Sequence, residues 1–299
     1  MNLDFDRRDF LKLAGIGSVW LASGLWKNTL IAAGADDFVF VQISDVHWGF
    51  NNQQANPDFA GTFQKAVASI NNLKNQPDLI MFTGDLTHVT DDDQERRKRL
   101  TEFRSIAGGL KVKNVKFLPG EHDASLDGGE AYKEVIGGEM RYSFDHKGVH
   151  CIALDNVSDP RAVLGDAQLQ WLSDDLQKLH KATPIVVFTH RPLFDLKPDW
   201  EWYTRDGAEA VKLLTPFTNV VVLYGHIHQE NNHMTGHIAH HACQGSMYPL
   251  PPPSASVKAP VPWDPAAPYR GLGFRGVDAH TKPAKFDLTE YSITGEVSR

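Results

Sequence analysis

Short apolar runs alternate with amphipathic stretches along most of this chain, and their lengths suit strands and surface helices. The segments 38–45 (FVFVQISD) and 79–84 (LIMFTG) are near-continuous apolar runs that end at Asp or Gly, as expected of strands covered on both faces. Between them, 57–74 carries Phe59, Phe63, Val67, Ile70 and Leu73 at helical spacing, behind a Pro57 suited to a first turn. Segment 91–106 starts with Asp91, Asp92, Asp93 and Glu95 and continues with Arg96, Arg97, Lys98, Arg99 and Arg104. Acids first and bases later complement a helix dipole, which predicts a solvated helix and not a nucleic-acid patch. VKNVKFLPG gives a third strand, and RYSFDHKGVHCIALD a hairpin turning near Lys147-Gly148. A helix over 165–179 follows, with Leu169, Trp171, Leu172, Leu176 and Leu179 on its apolar face, then the strand PIVVFTH, a helix over 206–214 and the strand VVVLYGH. Two short strands around 234–245, a proline-rich loop at 249–268 and two terminal strands (GFRGVDAH, AKFDLTEYSI) end the chain. Strand-helix alternation giving way to hairpins predicts an α/β fold, a mixed sheet system with helices outside it.

The 299 residues, 41% hydrophobic and 22% charged, bury an ordinary core and suit one large domain. A net charge of −7 spread along the chain offers no broad basic field for a nucleic-acid polymer or an anionic membrane. Cys151 and Cys243 both lie inside apolar runs, so buried free thiols are expected in place of a disulfide framework. Residues 1–35 read as a leader and 36–299 as the folded domain. Arg7-Arg8-Asp9-Phe10-Leu11-Lys12 resembles the twin-arginine export motif, and Ala33-Gly34-Ala35 gives a cleavage signal. The run at 13–26 is broken by Gly15, Gly17 and Gly24 and falls short of the ~20 apolar residues of a span. The leader predicts the twin-arginine export machinery as a partner and a periplasmic or extracellular location. Membrane association would come only from leaving it uncleaved.

Five segments change the picture most. SDVHWG (Asp45, His47), TGDLTH (Asp85, His88), GEHD (Glu121, His122, Asp123), FTHRP (His190, Arg191) and YGHIHQ (His226, His228) each place Asp, Glu or His at the end of a strand-like run. In open α/β sheets those ends form the ligand crevice. Imidazoles and carboxylates without a cysteine suit a pair of hard-to-borderline divalent ions, with manganese, iron and zinc all compatible. Side chains two apart on a strand share a face, so Asp45 with His47, and His226 with His228, are each expected to reach one ion together. Any D-x-H alone is weak in a chain with 14 histidines; the ordered set is specific. No G-x-x-x-x-G-K-[ST] or G-x-S-x-G segment is present to support a triphosphatase or serine hydrolase.

The order and strand context of these segments, from Phe38 to His228, resemble the calcineurin-like metallophosphoesterases. The resemblance implies two packed mixed β-sheets flanked by helices (an α/β/β/α sandwich). It implies Asp45, His47 and His228 on a first ion, Asp85 bridging, and His190, His226 and the residue at 121 on a second. It places His122 beside the substrate as proton donor or charge stabiliser, oriented by Asp123. One position departs from the pattern: the family's G-N-H-D/E is Gly120-Glu121-His122-Asp123 here, a charged ligand in place of a neutral one. His88 is open between a contact behind the ligands and a solvent-facing loop residue. Arg191 is a candidate phosphate contact.

The expected chemistry is hydrolysis of a small phosphomonoester or phosphodiester. Two ions about 3.5–4 Å apart make a bridging hydroxide available at neutral pH and neutralise the phosphoryl oxygens, and an imidazole protonates the leaving oxygen. The alternative, motivated by Glu121, is a metal-binding or sensing protein with an impaired centre. His233, His237, His240 and His241 crowd a predicted hairpin and read as exposed strand histidines, with a second metal site the less favoured reading. The 249–268 loop is open between a lid over the metals and a plain connector.

Overall fold

The computed structural model describes residues 38–297; the leader assigned to 1–35 lies outside them. The strands are β1 (Phe38–Ile43), β2 (Leu79–Thr83), β3 (Val115–Leu118), β4 (Tyr142–His146), β5 (Val149–Ala153), β6 (Ile185–Phe188), β7 (Val220–Tyr224), β8 (Asn231–Thr235), β9 (Ile238–Ala242), β10 (Gly273–Thr281) and β11 (Ala284–Ser292). The helices are α1 (Thr62–Asn71), α2 (Asp93–Ala107), α3 (Glu121–Ala124), α4 (Glu130–Val135), α5 (Asp166–Leu176) and α6 (Gly207–Leu214). One sheet has the order β11-β10-β1-β2-β3 and the other β4-β5-β6-β7-β9-β8. The central pairs β1–β2–β3 and β5–β6–β7–β9 are parallel, and antiparallel strands close the flanks.

Period-2 alternation sorts each central strand between two cores. Phe38, Phe40, Leu79 and Met81 face Cys151, Ala153, Val186, Phe188, Val221 and Leu223 across the gap between the sheets. Their neighbours Val41, Ile43, Ile80 and Phe82 pack outward on Phe63 and Val67 of α1 and Leu100 and Phe103 of α2. Ile185, Val187, Val220 and Val222 pack outward on Leu172 and Leu176 of α5 and Val211 and Leu214 of α6. The result is the expected pair of mixed sheets with helices on both outer faces. Both cysteines are free and buried, as expected.

Two buried polar side chains tie the sheets together below the candidate site. Gln42 of β1 donates to Tyr224 O of β7 at 3.1 Å, and Arg275 of β10 donates to Ala242 O of β9 at 2.6 Å, with its Nε on Glu290.

The helix expected over 57–74 begins only at Thr62. Asn56 Oδ1 takes the Asp58 N–H at 2.9 Å, an Asx turn that keeps the preceding residues in a loop. Helix α2 matches its expected charge order, with Asp92 Oδ1 capping the Glu95 N–H. The hairpin histidines need correction: His240 is fully buried with neither ring nitrogen hydrogen-bonded, and His233 stacks on Phe194 at 3.8 Å. Phe194 covers this face of β8–β9, so alternation does not bring His240 to solvent. Among the described residues, no helix is long and apolar enough to cross a membrane.

Candidate metal centre

The five segments follow the C-terminal ends of β1, β2, β3, β6 and β7, so one rim of the sandwich collects them from both sheets. Backbone bonds stitch the loops together: Asp45 N to Gly84 O (3.0 Å), His47 N to Asp85 O (2.9 Å) and Gly225 N to His190 O (3.0 Å). Of the eight non-glycine residues with positive φ among the described residues, five are Asp45, His47, Asp85, His226 and His228. Each such residue costs of order 1–3 kcal/mol and persists only where its surroundings over-determine it. Gly84 (φ +100) adopts a conformation closed to most residues, and a Cβ there would lie 2.2 Å from His190 Nδ1. A Cβ on Gly120 would lie 2.0 Å from Asp85 Oδ1.

The side chains form two donor sets that share one residue, Asp45/His47/Asp85/His228 and Asp85/Glu121/His190/His226. Asp85 Oδ2 is 3.4 Å from His47 Nε2 and 3.5 Å from His190 Nε2. In the first set His47 Nε2 is 3.0 Å from His228 Nε2, and His228 Nε2 is 3.3 Å from Asp45 Oδ1. In the second, Glu121 Oε2 is 2.9 Å from His190 Nε2 and Oε1 is 2.9 Å from His226 Nδ1. Donors ~2.1 Å from a tetrahedral ion lie about 3.4 Å apart, close to these separations.

The pairing expected from strand periodicity therefore holds for Asp45 with His47 but not for His226 with His228, which fall in different sets. Both pairs lie past their strand ends, at Ile43 and Tyr224, with left-handed φ at all four residues, so strand alternation governs neither pair.

Each set is prepared to receive a cation. Thr83 O takes the Nδ1–H of His190 (2.7 Å), Tyr248 O that of His228 (2.6 Å), and Glu201 O the Nε2–H of His226 (3.1 Å). The other nitrogen of each ring then points inward, as in metal-ligating histidines. Burial pulls His226 down to about 4 and His228 to about 3, which keeps both neutral. His190 goes the other way: burial lowers it, but Asp85 and Glu121 outweigh burial and raise it well above the usual value. Burial pushes the Asp45 carboxyl up to about 7. His190 Nε2 and Glu121 Oε2 are buried and lack a hydrogen bond despite their closeness. Three buried carboxylates this close require positive charge beyond the imidazoles, so the donor set fits two metal ions.

A sequence profile described as calcineurin-like phosphoesterase matches residues 38–230. The chain belongs to the calcineurin-like phosphoesterases. It is 28% identical over 215 residues to a 3',5'-cyclic adenosine monophosphate phosphodiesterase of Haemophilus influenzae, covering 69% of this chain and 76% of that one. It is 26% identical over 164 residues to a probable glycerophosphodiester phosphodiesterase of Arcobacter nitrofigilis, covering 52% and 57% of the two chains. A dimetal phosphatase from Danio rerio shares the fold, with a TM-score of 0.55 at 13% identity over 81% of this chain and 95% of that one. As a calcineurin-like phosphoesterase, the chain falls in the class of metal-dependent phosphoester hydrolases.

His122 stands at the mouth of this phosphoesterase centre, its side chain 21% exposed and Nε2 3.9 Å from Asp85 Oδ2. Its Nδ1 accepts the Val89 N–H at 2.9 Å, so in the neutral ring Nε2 carries the hydrogen. Asp123 does not orient it, contrary to expectation. Its carboxylate accepts from Leu86 N, Thr87 N, Thr87 Oγ1 and Gly120 N, all at 2.9 Å, so it clamps the loop that carries Asp85. The first turn of α3 points Asp123 inward and His122 outward. His88 lies behind a ligand: its Nδ1 is 3.4 Å from His47 Nδ1. Arg191 lies against the second set, Nε 3.8 Å from Glu121 Oε2.

Sequence reasoning missed Tyr248 as a site residue. Its ring packs on His228 and His47 at 4.4 and 5.0 Å, its hydroxyl is 3.3 Å from His47 Nε2, and its carbonyl fixes the His228 tautomer. A tyrosine at the head of a proline-rich loop carries no sequence signal for this.

Proposed function

We propose that the protein is an exported phosphoesterase with a dinuclear centre, hydrolysing a small phosphodiester or phosphomonoester. The observation that carries it is the placing of Asp85 Oδ2 between two donor sets, 3.4 Å from His47 and 3.5 Å from His190. The similar proteins named for cyclic-nucleotide and glycerophosphodiester hydrolysis favour the diester. Asp45, His47, Asp85 and His228 would hold one ion, and Asp85, Glu121, His190 and His226 the other. When bound, such ions supply Lewis acidity toward phosphoryl oxygens and a water of lowered pKa.

The chain's own groups do the rest. Asp123 and the Gly120 contact fix Asp85, the Gly84 contact seats His190, and Thr83, Tyr248 and Glu201 fix the imidazole tautomers. His122 Nε2–H faces the open side, where it donates a hydrogen bond to a phosphoryl or leaving oxygen and so stabilises its developing charge. Arg191, beside Glu121 of the second set, supports the same substrate. The test is turnover of bis(p-nitrophenyl) phosphate and p-nitrophenyl phosphate by the metal-loaded chain. We expect activity in wild type, and its loss in His122→Ala with metal content retained.

Glu121 motivates a second reading, a metal-carrying binding protein with an impaired centre, since its carboxylate lies between His190 and His226. One ion per chain without turnover would favour that reading. Export by the twin-arginine route rests on Arg7-Arg8 and the 33–35 cleavage signal. Cell fractionation of a double variant, Arg7→Lys with Arg8→Lys, tests it, with retention in the cytoplasm as the expected result.

A further inference from the structure

The proline-rich segment 249–268 is tied down on the second-set side of the centre. Gln229 Nε2 donates to Pro251 O at 2.9 Å, Lys197 Nζ donates to Pro253 O and Ala255 O at 2.8 and 3.1 Å, and the Trp263 N–H reaches Gln54 O at 2.8 Å. Between these ties the exposed Lys258 reaches Trp200, its Nζ donating to Trp200 O at 2.8 Å. That carbonyl precedes the Glu201 carbonyl, which receives His226 Nε2–H and Arg191 Nη1 at 3.1 and 3.4 Å. Glu201 itself is held at a left-handed φ of 61°. Lys258 is therefore one peptide removed from the group that orients a ligand imidazole.

Arg191 offers the second observation. Its side chain is 8% exposed, and its Nε–H is buried without an acceptor. Buried guanidinium hydrogens seldom lack a partner, and this one lies beside the set where the phosphoryl group would sit. Glu121 explains why extra cations belong here: a carboxylate in place of the family's neutral ligand adds a charge that repels an anionic substrate. Burial lowers the Lys258 ammonium overall, against the upward pull of Glu121 and Glu201. Lys258 lies beyond the family match, which ends at 230.

We propose that Lys258 and Arg191 form an anion subsite on the second-set side of the centre, taking a non-bridging oxygen of a phosphoryl substrate, with the 249–268 strap serving to present Lys258. Only one of the three ammonium hydrogens is used on Trp200, which leaves two to donate. The subsite deepens the phosphoesterase reading and rests on it for the identity of the substrate.

The test uses the metal-loaded full chain as wild type, Lys258→Met and Lys258→Arg. Inorganic phosphate binding is measured by calorimetry, and KM and kcat with bis(p-nitrophenyl) phosphate. Loss of one charge-assisted hydrogen bond should weaken phosphate binding and raise KM about tenfold in Lys258→Met, with kcat within about twofold. Lys258→Arg should restore both. Equal phosphate binding by wild type and Lys258→Met overturns the subsite. So does a defect that Lys258→Arg fails to rescue, which marks the Trp200 contact as structural only. Phosphate binding that depends on Lys258 without turnover of any ester leaves the subsite standing and removes the phosphoesterase reading alone.

Discussion

Asp123→Asn separates two roles for a residue that looks catalytic in the sequence. Asp123 accepts four hydrogen bonds at 2.9 Å, three from backbone N–H groups and one from Thr87 Oγ1, and it is fully buried. An asparagine of the same shape turns one oxygen into an NH2 that faces either Leu86 and Gly120 N–H or Thr87 N–H, the Thr87 hydroxyl being able to turn and accept, so one or two of the four bonds become repulsive. Bonds to a charged acceptor contribute about 1.5–3 kcal/mol each, so the loss is about 2–6 kcal/mol. For a domain of this size, about 2–4 °C per kcal/mol puts the fall in melting temperature at about 10 °C. The released loop is the one that holds Asp85 at φ 48°, so both ions should be lost or weakened together. Thermal unfolding of chelated protein followed by circular dichroism, with metal analysis after dialysis against metal, reads both effects. An unchanged melting temperature and full metal content, with activity lost as in His122→Ala, would falsify the clamp and return Asp123 to the role of orienting His122.

Further outcomes follow from the same geometry. Gly120→Ala sets a methyl 2.0 Å from Asp85 Oδ1, so metal content should fall at both sites; retention of two ions by this variant counts against the tight approach. Arg275→Met strands Glu290 and opens the polar tie between the sheets, which should cost about 3–5 kcal/mol in urea unfolding, with Glu290→Leu recovering part; a loss below ~1 kcal/mol contradicts the bridge. Burial first, then His233 and His241, moves His240 from its ordinary 6.5 down to about 4. The unfolded chain thus binds the extra proton between pH 6.5 and 4, and stability rises with pH through that window. His240→Phe should remove up to about 3 kcal/mol of that slope, and equal slopes in wild type and variant would show His240 to be solvated.

Much of the centre was legible because its chemistry is written in residue types that a fold seldom places at strand ends by chance. Asp45, His47, Asp85, Glu121, His190, His226 and His228 each follow an apolar run, and the structure brings all seven into two adjoining sets. What misled was local periodicity applied past the last strand residue, where left-handed backbone at Asp45, His47, His226 and His228 breaks the alternation. Asp123 was paired with His122 on the strength of the family resemblance, whereas its carboxylate is taken up by the N–H groups of Leu86, Thr87 and Gly120. Tyr248 and Lys258 were illegible for a different reason. They act from an irregular proline-rich segment whose path depends on hydrogen bonds to Gln229, Lys197 and Gln54, residues far away in sequence. His240 read as exposed because alternation marks the faces of a hairpin but cannot report that Phe194 lies over one of them.

Metal stoichiometry is the most direct measure of the central claim, that one carboxylate joins two ion sites at this rim. Chelated protein dialysed against manganese or zinc and analysed for metal should carry two ions per chain. His228→Ala and His190→Ala should each lose a different one, and Asp85→Ala both. One ion or none in wild type, or the loss of the same single ion in both histidine variants, would contradict the two-site account.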